Sequence, residues 1–479
     1  KNQIFYLFFS CMNNFRFTKI IPGVSPTLAK ETVLSKIINM VDVFRITLSK
    51  GFDDNNKKYI DTIMKLDNSK TILIETKGID LRVKNTSSLP MKKWDQWTFE
   101  YSEYAQESDT KIYVDYPQLG EIEVGTLIYA QQSWIVFEVL KAYEDIVETE
   151  VIEAKGNELI HFDRIWFDGL DSEAHELSER DKKDILWGLE YGAHVLALAC
   201  ANSAEHIQNT REFLESSNAR NMKIFAKIET SQGLKNLEEI TKAADGIVLV
   251  PDEGADLADE NKLLDALHRV KKLGKPVLIA YAKATYGAAY SELVEKQLGA
   301  LCNEGVDGVM METFVVEDEV FPAIEQLWDL LSKYEENFSS KPVERFEEEG
   351  DFEVRDYIIY NSYRSTEELN IRAIICFTEN GYTASRLSSL VPKVPIITFT
   401  QSTDTYRYLS LVWGVKGYKI SQSFNYENLK RIGKEMIRII FKWNISLDDK
   451  ILILQANETI GGDKSDMING TEIYNFKNI

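Results

Sequence analysis

The chain has 479 residues, 44% of them apolar and 27% charged, which suits two to four soluble domains with cores of their own. Its net charge of −21, from 76 acidic and 55 basic residues, disfavours nucleic-acid and anionic-membrane partners, because the long-range field repels both. Four scattered cysteines (Cys11, Cys200, Cys302, Cys376) show no CxxC spacing, and the five histidines form no ligand pattern, so neither a disulfide framework nor a zinc site is expected.

The opening run KNQIFYLFFSCM is too short to span a bilayer and is followed by no small-residue cleavage site. Residues 1–11 precede Met12 and read as an upstream extension, and the chain reads as cytoplasmic. Short β-branched runs then alternate with amphipathic stretches. The strands expected are TKII (18–21), VFRITL (43–48), TILIET (71–76), HVLALA (194–199), KIFAKIE (223–229), GIVLVP (246–251), PVLIAY (276–281) and GVMME (308–312). Helices are expected between them, as at 30–40, 178–192 and 291–305. Eight strands alternating with helices predict a (β/α)8 barrel.

Roughly residues 85–165, between the third and fourth strands, are too many for a loop and alternate apolar with polar, which predicts a small β-barrel domain inserted at the barrel mouth. After the eighth strand and its helix, the charged segment 335–356 reads as a linker to a C-terminal α/β domain. The expected division is an extension (1–17), a barrel in two parts (18–86 and 164–338), the β insertion (87–163) and the C-terminal domain (339–479).

Within AKIET (226–230), Lys227 and Glu229 are two apart on a strand and so project from one face. An ammonium beside a carboxylate suits a metal and a phosphate, and more commonly forms a plain surface ion pair. Their place at the carboxyl end of the fifth strand, where barrel active sites lie, favours function.

Taken in order, TKII, FRITLSKG (44–51), ETKGIDLR (75–82), LSERDKKDILWGLEYG (177–192), FAKIETSQGLKNLEEI (225–240), ADGIVLV (244–250), GKPVLIA (274–280), DGVMM (307–311) and FTENGYTASRLSSLVPKVPIITFT (377–400) resemble consecutive segments of the pyruvate kinase family. The resemblance implies transfer of a phosphoryl group from phosphoenolpyruvate to ADP, a step that depends on positioning and charge neutralisation. It implies Mg2+ or Mn2+ and K+ as cofactors, and a tetramer as the usual assembly. By resemblance, Lys227 matches the catalytic lysine, Arg45 the phosphate-binding arginine, Arg82 a further arginine near the site, and Lys77 lies in the Thr-Lys-Gly segment. Glu229 and Glu253 match the two metal carboxylates, and Thr47, Ser49, Glu75 and Thr76 stand where the family uses Asn, Ser, Asp and Thr for K+.

The same resemblance exposes departures. Pro251, Asp252 and Glu253 replace Arg, Gly and Asp, removing a cation and adding an anion where the substrate carboxylate docks. Tyr281 replaces the Thr of the proton-donating apparatus and is by resemblance a catalytic candidate, although a hydroxyl on its longer ring cannot keep the same geometry. Lys50 stands where a His assists the nucleotide, Gln131-Gln132-Ser133 replaces an Asp-Asp-Gly turn, and Glu312-Thr313-Phe314 replaces the Ser-Gly-Glu-Thr turn. Lys283 offers a compensating positive charge. The expectation is a catalytically degenerate subunit assembling with a competent pyruvate kinase; the alternatives are a divergent active enzyme and a barrel enzyme acting on another phosphorylated acid. FTENGYTAS (377–385) resembles a sugar-phosphate turn, and equally a strand followed by a capped helix.

Overall fold

The structure is a computed structural model. It describes residues 15–478 apart from 49–53, 79–80, 103, 117, 131–132, 162, 168–176, 252–256, 282–291, 314–315, 337, 339–353, 421–425, 441–445 and 457–467. The chain forms two compact units, one of residues 1–77 with 177–479 and the other of 78–176.

In the larger unit eight parallel strands close a barrel in sequential order: β1 (Lys19–Gly23), β2 (Val43–Thr47), β3 (Thr71–Glu75), β4 (Val195–Leu198), β5 (Lys223–Ile228), β6 (Gly246–Leu249), β7 (Val277–Ala280) and β8 (Gly308–Thr313). All eight lie on the runs expected from sequence. The alternation of side chains along each strand divides its residues between two cores. Ile46, Ile74, Leu196, Ile228, Leu249, Ile279 and Val309 pack outward among the helices. Val43, Leu73, Val195, Ala197, Phe225, Val248, Leu278 and Met310 take the opposite parity and fill the barrel. Arg45, Glu75 and Lys227 share that inward parity, so the strand period carries them inside.

The C-terminal part of this unit is a five-stranded sheet, in the order β11 (Val415–Lys419), β10 (Ile396–Thr400), β9 (Ile371–Phe377), β12 (Lys450–Ala456) and β13 (Ile468–Asn475). All pairs are parallel except β12 with β13. The helix Val354–Glu368 precedes it, and the linker expected over 335–356 lies largely outside the described residues.

The smaller unit is a seven-stranded sheet with a two-stranded ribbon beside it. Its long hairpin, Ile135–Tyr143 with Ile146–Ala154, buries Val147, Thr149 and Val151 on one face, as its alternation requires. An isolated bridge from Val83 to Val114 brings the two sides of the sheet toward closure. The unit extends beyond the expected 87–163 at both ends. The reason is pairing: Leu81–Arg82 joins Arg164–Phe167, which joins Leu127–Ala130, so both flanking segments belong to its sheet.

Candidate active site

Parallel strands bring their carboxyl ends to one mouth of the barrel. There the structure gathers Arg45 from β2, Glu75 from β3, and Lys227 and Glu229 from β5 and the residue after its end. Arg45 Nη1 donates to Glu75 Oε2 at 2.8 Å, and Lys227 Nζ donates to Glu75 Oε1 at 3.0 Å. Lys227 Nζ also donates to Glu229 Oε1 at 2.8 Å. The four groups form an unbroken chain of alternating sign, 2, 6, 7 and 5% exposed in the order Arg45, Glu75, Lys227, Glu229. Burial pushes the Glu75 carboxyl up, but Lys227 and Arg45 together outweigh it and hold the group below its ordinary range.

The backbone completes the chain at both ends. Arg45 Nη2 donates to Met311 O at 3.2 Å, and the Cys200 N–H donates to Glu229 Oε2 at 2.8 Å. Cys200 has φ of +50°, in the left-handed region that a residue with a Cβ seldom enters, and this turn aims its N–H at Glu229. Thr76 is buried, and its Oγ1 accepts from the Ala199 N–H at 3.1 Å. Thr230, next to Glu229, caps the helix Ser231–Lys235 by accepting from Gly233 N at 3.0 Å. A Cβ on Gly233 would lie 2.6 Å from Ala201 O, so the turn after β4 approaches too closely for any other residue without a shift.

Behind β2 and β3 lies a brace not expected from sequence. Arg180, in the helix Glu179–Glu190, donates from Nε to Asp184 Oδ1 at 2.9 Å and from Nη2 to Leu48 O at 3.2 Å. Asp184 Oδ2 accepts from Lys77 N at 3.0 Å. One ion pair thus ties down the segments that follow both strands. Burial raises the Asp184 carboxyl to about 7 despite Arg180. Its signal in the sequence was the Arg-to-Asp spacing of four along a helix.

The other expected residues fall elsewhere. Tyr281 does not join the mouth: it continues the outward parity of Val277 and Ile279 into the helix-facing core. Its hydroxyl donates to Gln297 Oε1 at 3.3 Å, and Gln297 Nε2 donates to Ala258 O at 3.1 Å. The expectation of a hydroxyl at the reacting centre is therefore corrected, because a strand presents alternate residues to opposite sides. Thr47 pairs in register with Glu75 at the ends of β2 and β3. Lys77 is half-buried beside the brace. Arg82 belongs to the smaller unit, where its N–H donates to Asp115 Oδ1 at 3.1 Å. Ser133 is buried in the same unit, its N–H donating to Asp163 Oδ2 at 2.9 Å and its Oγ accepting from Ile160 N at 2.9 Å. Pro251 is buried after β6. Ser49, Lys50, Gln131, Gln132, Asp252, Glu253, Lys283, Phe314 and the side chain of Glu312 lie outside the described residues.

Among the described residues no three His, Cys, Asp or Glu side chains are grouped to hold a metal. Glu229 is the one expected divalent ligand among them, and its oxygens already face an ammonium and a backbone N–H. These residues do not by themselves make a divalent site. No helix among the described residues is long and apolar enough to cross a membrane.

A closed parallel barrel with a sheet inserted after its third strand and buried Lys, Arg and Glu at its mouth defines a (β/α)8-barrel protein with a charged mouth. The comparisons with known proteins are specific. The pyruvate kinase barrel domain matches residues 15–284, and the pyruvate kinase alpha/beta domain matches residues 356–469. The chain is 26% identical over 425 residues to pyruvate kinase from Staphylococcus aureus strain MRSA252, covering 84% of this chain and 71% of that one. The same values hold for pyruvate kinase from strain USA300. The chain belongs to the pyruvate kinase family. Pyruvate kinases generally use Mg2+ and K+ and act on phosphoenolpyruvate and ADP.

Proposed function

We propose that this chain is a pyruvate-kinase-type subunit whose own phosphoryl transfer is impaired, and which serves as a structural or regulatory partner of a competent pyruvate kinase in the cytoplasm. The observation that carries the reading is the closed charge chain at the mouth. Arg45 and Lys227, the two cations expected to meet the phosphoryl group, both already pair with Glu75 inside the protein. An incoming anion shares each cation with an internal carboxylate, and the attraction it gains is reduced accordingly. Tyr281 adds to this, since its hydroxyl faces Gln297. Divalent-metal binding through Glu229 and Glu253 is part of the reading, weakened because Glu229 is already paired. Assembly is as a homo- or hetero-tetramer.

The second reading is a divergent but active pyruvate kinase, turning phosphoenolpyruvate and ADP into pyruvate and ATP. Its support is the convergence of Arg45, Lys227 and Glu229 at one mouth, which keeps three expected roles in one place. A coupled pyruvate-formation assay, on the chain alone and mixed with a competent pyruvate kinase, separates the two. The first reading expects little activity alone and a change in the partner's activity or assembly on mixing. Brisk activity alone, unaffected by mixing, selects the second.

A further inference from the structure

The resemblance places K+ on Thr47, Ser49, Glu75 and Thr76, and the geometry around Glu75 disagrees with it. Glu75 offers one oxygen to the Arg45 guanidinium at 2.8 Å and the other to the Lys227 ammonium at 3.0 Å. All three groups are buried, so water screens their charges little. A K+ ion on this carboxylate would stand beside two full positive charges that already share its one negative charge. Thr76 Oγ1 already accepts the Ala199 N–H, which uses one of its two lone pairs. The longer side chain matters here: glutamate stands where the family pattern has aspartate, and its extra methylene lets one carboxylate bridge cations on two other strands.

We infer that Glu75 is the internal counter-ion of Arg45 and Lys227, that these two side chains take the place of the monovalent cation, and that the mouth is indifferent to K+. Three consequences follow from charge alone. The four groups Arg45, Glu75, Lys227 and Glu229 sum to zero without any added ion. Swapping K+ for another monovalent cation of equal ionic strength leaves the site unchanged. Shortening Glu75 by a methylene withdraws the bridge and opens oxygen ligands to an outside cation. The expectation of K+ rests on the family reading of the mouth, but its test does not need turnover.

The experiment is denaturant unfolding of the full chain in KCl, NaCl and tetramethylammonium chloride at matched ionic strength. A K+ site with a dissociation constant of about 10 mM would raise the folded-to-unfolded ratio roughly elevenfold at about 100 mM K+. The expected result is a ratio that agrees between the three salts within about twofold; a K+-specific rise beyond that overturns the inference. Thallous ion, a K+ surrogate followed by its NMR line width, should show no saturable binding that KCl reverses, and reversible saturation would also overturn it. In Glu75→Asp a K+-specific gain of several-fold is expected, whereas indifference equal to wild type would remove Glu75 as the cause. Brisk pyruvate formation with K+ indifference would sink the impaired reading and leave this one standing. A K+-specific gain in an inactive chain would do the reverse.

Discussion

The mouth of the barrel and its seam with the C-terminal sheet both bury charge, and they use it differently. At the seam, charged side chains grip backbone. Asp307 accepts from Trp413 N and Val277 N, each at 2.7 Å, while Lys271 pairs with it at 2.6 Å. Arg407 donates to Lys70 O at 2.6 Å and to Asn68 O at 2.7 Å, and Lys19 donates to Arg16 O and Val415 O. Backbone groups have no other place to go, so these contacts act as fasteners. At the mouth, Arg45, Glu75, Lys227 and Glu229 grip mainly one another. Side-chain pairs can exchange partners when an anion or cation arrives. The comparison teaches that burial alone does not distinguish a site from a joint; the nature of the partner does.

The largest effect should come from breaking the seam. Asp307→Ala strands Lys271 and two backbone donors, and loss of a buried partner of this kind costs about 3–5 kcal/mol, read from denaturant midpoints. Next is the brace behind the mouth. Asp184 rises from 3.8 to about 7 on folding, so between those values the folded state holds the extra proton. Stability should therefore fall as pH rises from about 4 to about 7, by roughly 2–4 kcal/mol in total. Unfolding followed across that range should lose this slope in Asp184→Asn; a slope that persists unchanged would assign it elsewhere.

Arg407→Met should cost about 1.5–3 kcal/mol for its charged hydrogen bonds, with Arg407→Lys recovering only part because lysine lacks the fork that reaches both carbonyls. At the mouth the balance should invert. Glu75→Gln leaves Arg45 and Lys227 with Glu229 as their remaining counter-ion, so it should lower stability while it frees cationic charge. It should also tighten inorganic phosphate by about tenfold in calorimetry, since each tenfold corresponds to about 1.4 kcal/mol. A phosphate affinity that stays the same or weakens would show that Glu75 does not compete for the cations.

The sequence made the barrel legible because each strand is a short β-branched run and each intervening stretch is amphipathic. It also placed Lys227 and Glu229 on one face, since spacing of two on a strand fixes that outcome. It left Glu75 as one expected ligand among four, because its bridging role depends on three strands far apart in sequence and on the reach of one methylene. Cys200 was beyond reach for a different reason: a positive φ at a non-glycine residue has no local signature. Tyr281 was legible in principle. Its parity with Val277 and Ile279 points outward, and the family template, which aligned it with a hydroxyl, pulled the reading the other way. The strand at Leu81–Arg82 has only two residues, too few to show a period, so sequence alone starts the inserted unit too late.

The central claim is that the cations at the mouth are spoken for. Its most direct measurement is the turnover of the purified chain alone, with saturating phosphoenolpyruvate, ADP, Mg2+ and K+, in a coupled pyruvate assay. Kinases commonly turn over about 1–100 times per second. The expected rate is at least about a hundredfold below the lower end of that range, because misplaced or neutralised catalytic groups cost about 10²–10⁴. A rate within about tenfold of ordinary turnover would contradict it and make the divergent active enzyme the correct description.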